Sequence, residues 1–105
     1  MLEKEIENLI LDYLSYRPGY YWKNQSVGIY DPTKRKFRKS NNRHHILGVA
    51  DILGVKNDGQ FVAIEVKTKK GRLSDNQKAY LQKVEANGGL AFVARSIEDV
   101  KEMGL

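Results

Sequence analysis

The sequence predicts a small α/β sandwich, a mixed sheet of about four strands flanked by helices, and three observations carry that prediction. Residues 2–15 space their apolar side chains as one stripe of a helix. GVADILGV (48–55) and QFVAIEVK (60–67) are strand-like runs separated by Asn57-Asp58-Gly59, a hairpin signal. Ser74 opens a second helical stretch that stops at Gly88-Gly89 and leads into the apolar run LAFVA (90–94). The expected order is helix, strand, basic insertion, strand, strand, helix, strand, helix (α-β-β-β-α-β-α).

Composition bounds what such a fold can do. A chain of 105 residues is expected to form one domain (1–105) around one modest core. The absence of cysteine excludes a disulfide scaffold and a thiolate metal site, and suits a reducing, cytoplasmic setting. Glu3, Lys4, Glu5 and Glu7 crowd the start, so it does not read as a secretory leader, and no apolar run is long enough to span a bilayer. The formal net charge of +5 suggests a polyanionic partner.

In the first helix, Ile6, Leu9, Ile10, Tyr13 and Leu14 form the apolar stripe. At about 100° per residue, Glu3 projects close to Ile10 and Leu14, Glu7 lies on the border of that sector, and Glu5 lies well outside it. The macrodipole accounts for Glu5. It does not account for an acid on the inward face, so Glu3 is a candidate for a role of its own.

Pro18-Gly19 ends the helix, and residues 19–25 have strand-like aromatic content. Tyr20, Tyr21 and Trp22 suit either a base-stacking patch or the core, and the core is the expectation. From about 26 to 45 the composition shifts. Lys34, Arg35, Lys36, Arg38, Lys39 and Arg43 occur with no acid between Asp31 and Asp51. Asp31-Pro32-Thr33-Lys34 reads as a turn between two short strands, which makes this basic insertion a hairpin or ordered loop. Charge runs are usually solvated surface, but the position directly before the acid-bearing strands favours phosphate contacts. His44 and His45 are adjacent and point opposite ways in a strand, so at most one can join a metal site, and a surface or DNA-contacting role is expected.

The two central runs each carry an acid where a plain strand carries an aliphatic: Asp51 and Glu65. Phe61, Ala63, Glu65 and Lys67 share one face of their strand, while Val62, Ile64 and Val66 share the other, which reads as core. Antiparallel pairing brings Asp51 near Glu65, and two half-buried carboxylates repel, so one pKa rises unless a cation sits between them. A hard divalent ion on oxygen ligands is the natural remedy, with Lys67 as a positive group nearby.

Lys69, Lys70 and Arg72 then make a short basic loop. Gln77 completes a capping box with Ser74, yet it also faces the sheet with Tyr80, within reach of a water, a phosphate or Glu65. Ser96 caps a short last helix with Ile97, Val100, Lys101 and Met103.

In the layout of Asp51, Glu65-Val66-Lys67 and a following helix, the chain resembles the PD-(D/E)XK nuclease superfamily. GVADILGV, AIEVKTKKGRLSDNQKAYL and NGGLAFVARSIEDV together resemble the VRR-NUC domain (virus-type replication-repair nuclease), a resemblance that runs along the whole chain. It departs from the family at Ala50, where a proline is usual, a change that bears on strand geometry and not on a ligand. The resemblance implies a restriction-endonuclease-like core and Mg²⁺- or Mn²⁺-dependent hydrolysis of DNA. It implies Asp51 and Glu65 as metal ligands with the Val66 carbonyl, Lys67 as the group orienting water or stabilising charge, Gln77 as a positioning group, and Glu3, within an E-x-x-I pattern with Ile6, near the metal. By analogy, a domain this small cuts both strands as a homodimer, on branched or junction DNA, inside a bacterial or phage-infected cell. Lys34, Arg35, Lys36, Arg38, Lys39, Arg43, Lys69, Lys70 and Arg72 would carry the DNA backbone. The rival readings are a non-catalytic DNA-binding module on a nuclease-like fold and an interaction domain for an acidic protein. Salt-dependent DNA binding and metal-dependent nicking separate the three.

Overall fold

The computed structural model describes residues 1–25, 29–31, 36–38 and 43–105, the two short stretches at 29–31 and 36–38 by their backbone alone. The elements run α1 (Glu3–Ser15), β1 (Tyr20–Lys23), β2 (Ile29–Asp31), β3 (Lys36–Arg38), β4 (Ile52–Val55), β5 (Phe61–Val66), α2 (Asp75–Ala86), β6 (Leu90–Ala94) and α3 (Ile97–Glu102). The main sheet has the order β1-β4-β5-β6, antiparallel across the first two pairings and parallel between β5 and β6. It is mixed because a tight hairpin reverses the chain between β4 and β5, whereas α2 carries it back over the sheet before β6. β2 and β3 pair separately, with Ile29 opposite Arg38 and Asp31 opposite Lys36. The strands expected in the basic insertion therefore form, and the residues of their turn, 32–35, lie outside the described ones.

Each face of the sheet has its own apolar cluster. α1 and α3 cover one face, where Ile6, Ile10 and Leu14 meet Ile52, Val62, Ile64, Val66 and Val100. Burying each of these side chains contributes about 1.5–3 kcal/mol relative to leaving it exposed. α2 covers the other face through Leu81, which packs with Ala50 and Ala63. The alternation expected of β5 holds: Val62, Ile64 and Val66 line the α1 side.

Two expectations about burial fail, both through coverage. Leu9 lies on the predicted stripe, yet it is 41% exposed, so the covered strip of α1 is narrower than its apolar stripe. Tyr20 and Trp22 are not core: they are 72% and 38% exposed, with rings 5.5 Å apart. β1 is an edge strand, and α2 packs over β5 and β6 at the opposite side of the sheet, so only Tyr21, which alternates with them, reaches a core cluster. β6 is the other edge, and of its residues only Ala94 is fully covered. Among the described residues, no helix is long and apolar enough to cross a membrane.

Candidate active site

The site begins with the register of one hairpin. The Lys56 N–H bonds the Gln60 carbonyl at 2.9 Å, and Gly59 turns the chain at a φ of +92°, a conformation that suits glycine. That closure sets Ile52 opposite Ile64, which puts Asp51 and Glu65 opposite each other one step further along. Asp51 is fixed from two sides: its Oδ2 accepts from the Val66 N–H at 2.9 Å, and its carbonyl accepts from the Asn24 N–H at 2.8 Å. Upstream, Gly48 has a φ of +76°, and any Cβ there would collide with the Asn76 carbonyl and the Gln77 amide. A glycine therefore lets the segment leading to Asp51 lie against the first turn of α2, where Gln77 sits.

Gln77 fills both of the roles open to it from sequence. Its Oε1 accepts from the Ser74 N–H at 2.9 Å while its own N–H donates to Ser74 Oγ at 3.2 Å, closing the capping box. Its Nε2 donates to Glu65 Oε1 at 3.2 Å. The helix cap thus fixes which end of the amide faces Glu65, and the strand carboxylate is held by a helix start.

Glu65 is 2% exposed, and its second oxygen, Oε2, is buried without a hydrogen-bond partner. Burial pushes its pKa up to about 9, assisted by the Asp51 carboxylate beside it and by repulsion from Glu3, with Lys67 pulling the other way. Glu3 completes the group. One oxygen from each of Glu3, Asp51 and Glu65 lies within 4.8 Å of the others. The helical projection of Glu3 toward the interior is therefore realised, although the side chain is exposed as a whole. Glu5 takes a different part, its Oε1 accepting from the Leu2 N–H at 3.0 Å where the helix starts.

A cleft of about 350 Å³ opens beside the acids, lined by Glu3, Lys4, Glu7, Lys23, Asp51 and Val66. Glu7 is buried, and its Oε2 pairs with Lys23 Nζ at 3.0 Å. Sequence reasoning left Glu7 on a border and did not single out Lys23. The signal for Glu7 was its place one turn after Glu3, but its partner sits on another element, sixteen residues away. Lys67 lies two residues past Glu65 and is half-buried.

The donor set suits a hard divalent cation: three carboxylates converge, all with oxygen ligands, and one buried oxygen lacks any protein partner. His44 and His45 are exposed and take no part in that group. Of the expected basic contacts, Arg43, Lys69, Lys70 and Arg72 are exposed. Lys34, Arg35 and Lys39 lie outside the described residues, and Lys36 and Arg38 are described by backbone only. A residue that the sequence did not flag organises the loop after Lys67. Arg95 Nη1 donates to the carbonyls of Thr68 and Gly71 at 2.5 and 2.7 Å.

Residues 17–98 match the family model of the VRR-NUC domain. A solved structure described as a VRR_NUC domain protein superposes with a TM-score of 0.68 at 16% identity, covering 97% of this chain and 84% of that one, which establishes a shared fold. No curated protein matches the sequence significantly. Asp51, Glu65, Lys67 and Gln77 fall within the matched residues, and Glu3 lies before them.

Proposed function

The chain belongs to the VRR-NUC family, a nuclease-type family, and from that premise we propose that it is a Mg²⁺- or Mn²⁺-dependent DNA endonuclease, acting inside the cell on branched or junction DNA as a homodimer. The observation that carries the reading is the buried, unpartnered oxygen of Glu65 within a group of three converging carboxylates. A structural acid would have been given a protein cation or replaced, since an unsatisfied buried carboxylate costs stability.

In this reading Asp51 and Glu65 would hold the cation with the Val66 carbonyl, and Glu3 would support it from α1. When bound, the ion would supply an acidified water and neutralise charge at the scissile phosphate. The protein's own part is mostly preorganisation. The Val66 N–H and the Gln77 amide fix the two strand carboxylates before substrate arrives. Lys67, an ammonium on the same strand face as Glu65, orients the attacking water or stabilises the charge that develops on the phosphate oxygens. Lys69, Lys70, Arg72 and the basic insertion carry the DNA backbone, and two copies related by a twofold axis provide one site for each strand.

The test is a cleavage panel of junction, flap, nicked and linear duplex DNA with Mg²⁺ or Mn²⁺, run on wild type, Asp51→Ala and Glu65→Ala. We expect nicking by wild type only with metal, and none by either variant, with DNA binding in calcium largely kept. Cleavage by either variant at the wild-type rate would remove the assignment from these residues.

A further inference from the structure

On the other side of the first turn of α1 lies a larger cleft, about 700 Å³, between that helix, the start of α3 and the turn that follows Lys67. It does not contain the acid cluster, although it adjoins it: Thr68 and Lys69 line it directly after Lys67, and Met1 lines it two residues before Glu3. Its floor is apolar, with Ile6, Leu9 and Ile97. Its rim is cationic, with Lys69, Lys70 and Arg95 against a single acid, Glu98. A volume of this size lies in the range of about 300–1,000 Å³ that bound small molecules occupy.

Arg95 organises the backbone of that rim. Its Nη1 gathers the carbonyls of Thr68, Lys69 and Gly71, at 2.5, 3.4 and 2.7 Å. These contacts fix the turn that carries Lys69 and Lys70, so the free positive charge of the rim comes from the two lysines. Both are left exposed. The floor is equally distinctive. Leu9 sits on the core stripe of α1 and is still 41% exposed, so part of that apolar stripe is left open to solvent by the described residues.

We propose that this cleft seats an unpaired nucleotide of the DNA strand that crosses the acid cluster, its base on Leu9 and Ile97 and its phosphate on Lys69 and Lys70. The proposal rests on the nuclease reading for the position of that strand, and it adds what the reading lacks, a reason for preferring branched DNA. A base inside a duplex presents no free face, and unstacking it costs a few kcal/mol. A base at a branch or in a flap is already free. Cationic walls around an apolar floor match a nucleotide better than they match an acidic peptide, which would bring no large flat apolar surface.

The experiment measures binding, with calcium in place of magnesium, of a fluorescent oligothymidine and of a blunt duplex hairpin. The proteins are wild type, Leu9→Glu, Arg95→Gln, Trp22→Ala for the β1 aromatic pair and, as a control for added charge, Leu2→Glu, at an exposed leucine outside the cleft. We expect Leu9→Glu to weaken oligothymidine binding about tenfold, about what losing one buried leucine contact costs, and duplex binding by less than about twofold. Leu2→Glu should change neither, and Arg95→Gln should lose single-strand affinity with its melting temperature monitored alongside. If Arg95→Gln melts early, Leu9→Glu decides alone. Equal losses on both DNAs, no loss on either, or a single-strand loss in Trp22→Ala instead would each overturn the proposal, the last by placing the base on the β1 aromatic pair. Cutting is blocked throughout, so the outcome is independent of catalysis. A protein that shows this pattern yet never cleaves keeps the cleft and loses the nuclease reading, and the converse result does the reverse.

Discussion

Two buried carboxylates stand on neighbouring elements of this molecule, one on a helix and one on a strand, and the protein treats them in opposite ways. Glu7 on α1 and Glu65 on β5 are the buried charged residues among those described, at 6% and 2% exposure. Glu7 has a lysine at 3.0 Å. Glu65 has an amide on one oxygen, no hydrogen-bond donor or ion pair on the other, and two more acids beside it. The chain evidently can place a lysine against a buried acid, since it does so for Glu7. Among the described residues it does not do so at Glu65, which supports the reading in which a divalent cation from outside takes that place. Stability and function part company at this point: one acid is paired for the fold, and the other is held in a state that the fold alone does not favour.

The largest effect expected from this contrast is on pH dependence. In the unfolded chain Glu65 titrates near 4.5, and in the folded, metal-free protein near 9. Below about 4.5 both states carry the proton. Between 4.5 and 9 the folded state keeps it and the unfolded state has lost it, so unfolding becomes easier as pH rises. Its contribution is thus full below 4.5 and gone above 9. Metal-free protein should melt several degrees lower at pH 9 than at pH 5, with Glu65→Gln flattening the curve. Saturating Mg²⁺ should flatten it as well by displacing the proton. Thermal melts with and without chelator check this, and parallel curves for wild type and Glu65→Gln would show that Glu65 is ionised throughout.

Next in size is the effect on stability at fixed pH, where the two acids should respond with opposite signs. Lys23→Met strands the buried Glu7 carboxylate and should cost about 1–3 kcal/mol, less than breaking a fully buried pair because the ammonium side chain is 42% exposed. Glu65→Gln removes a repelled acid and should leave the metal-free protein as stable as wild type or more so at pH 8. Denaturant unfolding of both variants in chelator makes the comparison. Losses of equal size would mean that Glu65, like Glu7, is paired for the fold.

What the sequence made legible divides along the same line. The acids of β4 and β5, their facing positions, the capping box and the inward Glu3 all follow from local rules: a two-residue strand period, a hairpin turn and a helical projection. The Glu7–Lys23 pair and the Arg95 clamp do not, because each joins elements far apart in the chain, and no local pattern distinguishes a lysine or arginine that will find such a partner from one that faces water. The aromatic run of β1 misled for a related reason. Alternation predicts which side chains share a face, but whether a helix covers that face depends on where α2 crosses the sheet, and it crosses away from Tyr20 and Trp22.

The smallest effect, and the finest division, concerns two acids on one turn of one helix. Glu3 offers an oxygen to the group with Asp51 and Glu65, while Glu5 is spent on the Leu2 N–H. Both are exposed and both lie in the first turn, so the macrodipole acts on them alike, and any difference between their amide variants measures the site itself. Glu3→Gln should weaken metal binding or slow cleavage by about tenfold, the lower end of what losing a supporting group around a metal costs. Glu5→Gln should loosen the helix start by a few tenths of a kcal/mol at most and leave metal affinity unchanged. Manganese titration followed by calorimetry reads the metal arm without any DNA present. If the two variants titrate alike, the convergence of Glu3 on the strand acids has no functional weight, and Asp51 and Glu65 hold the ion without help from α1.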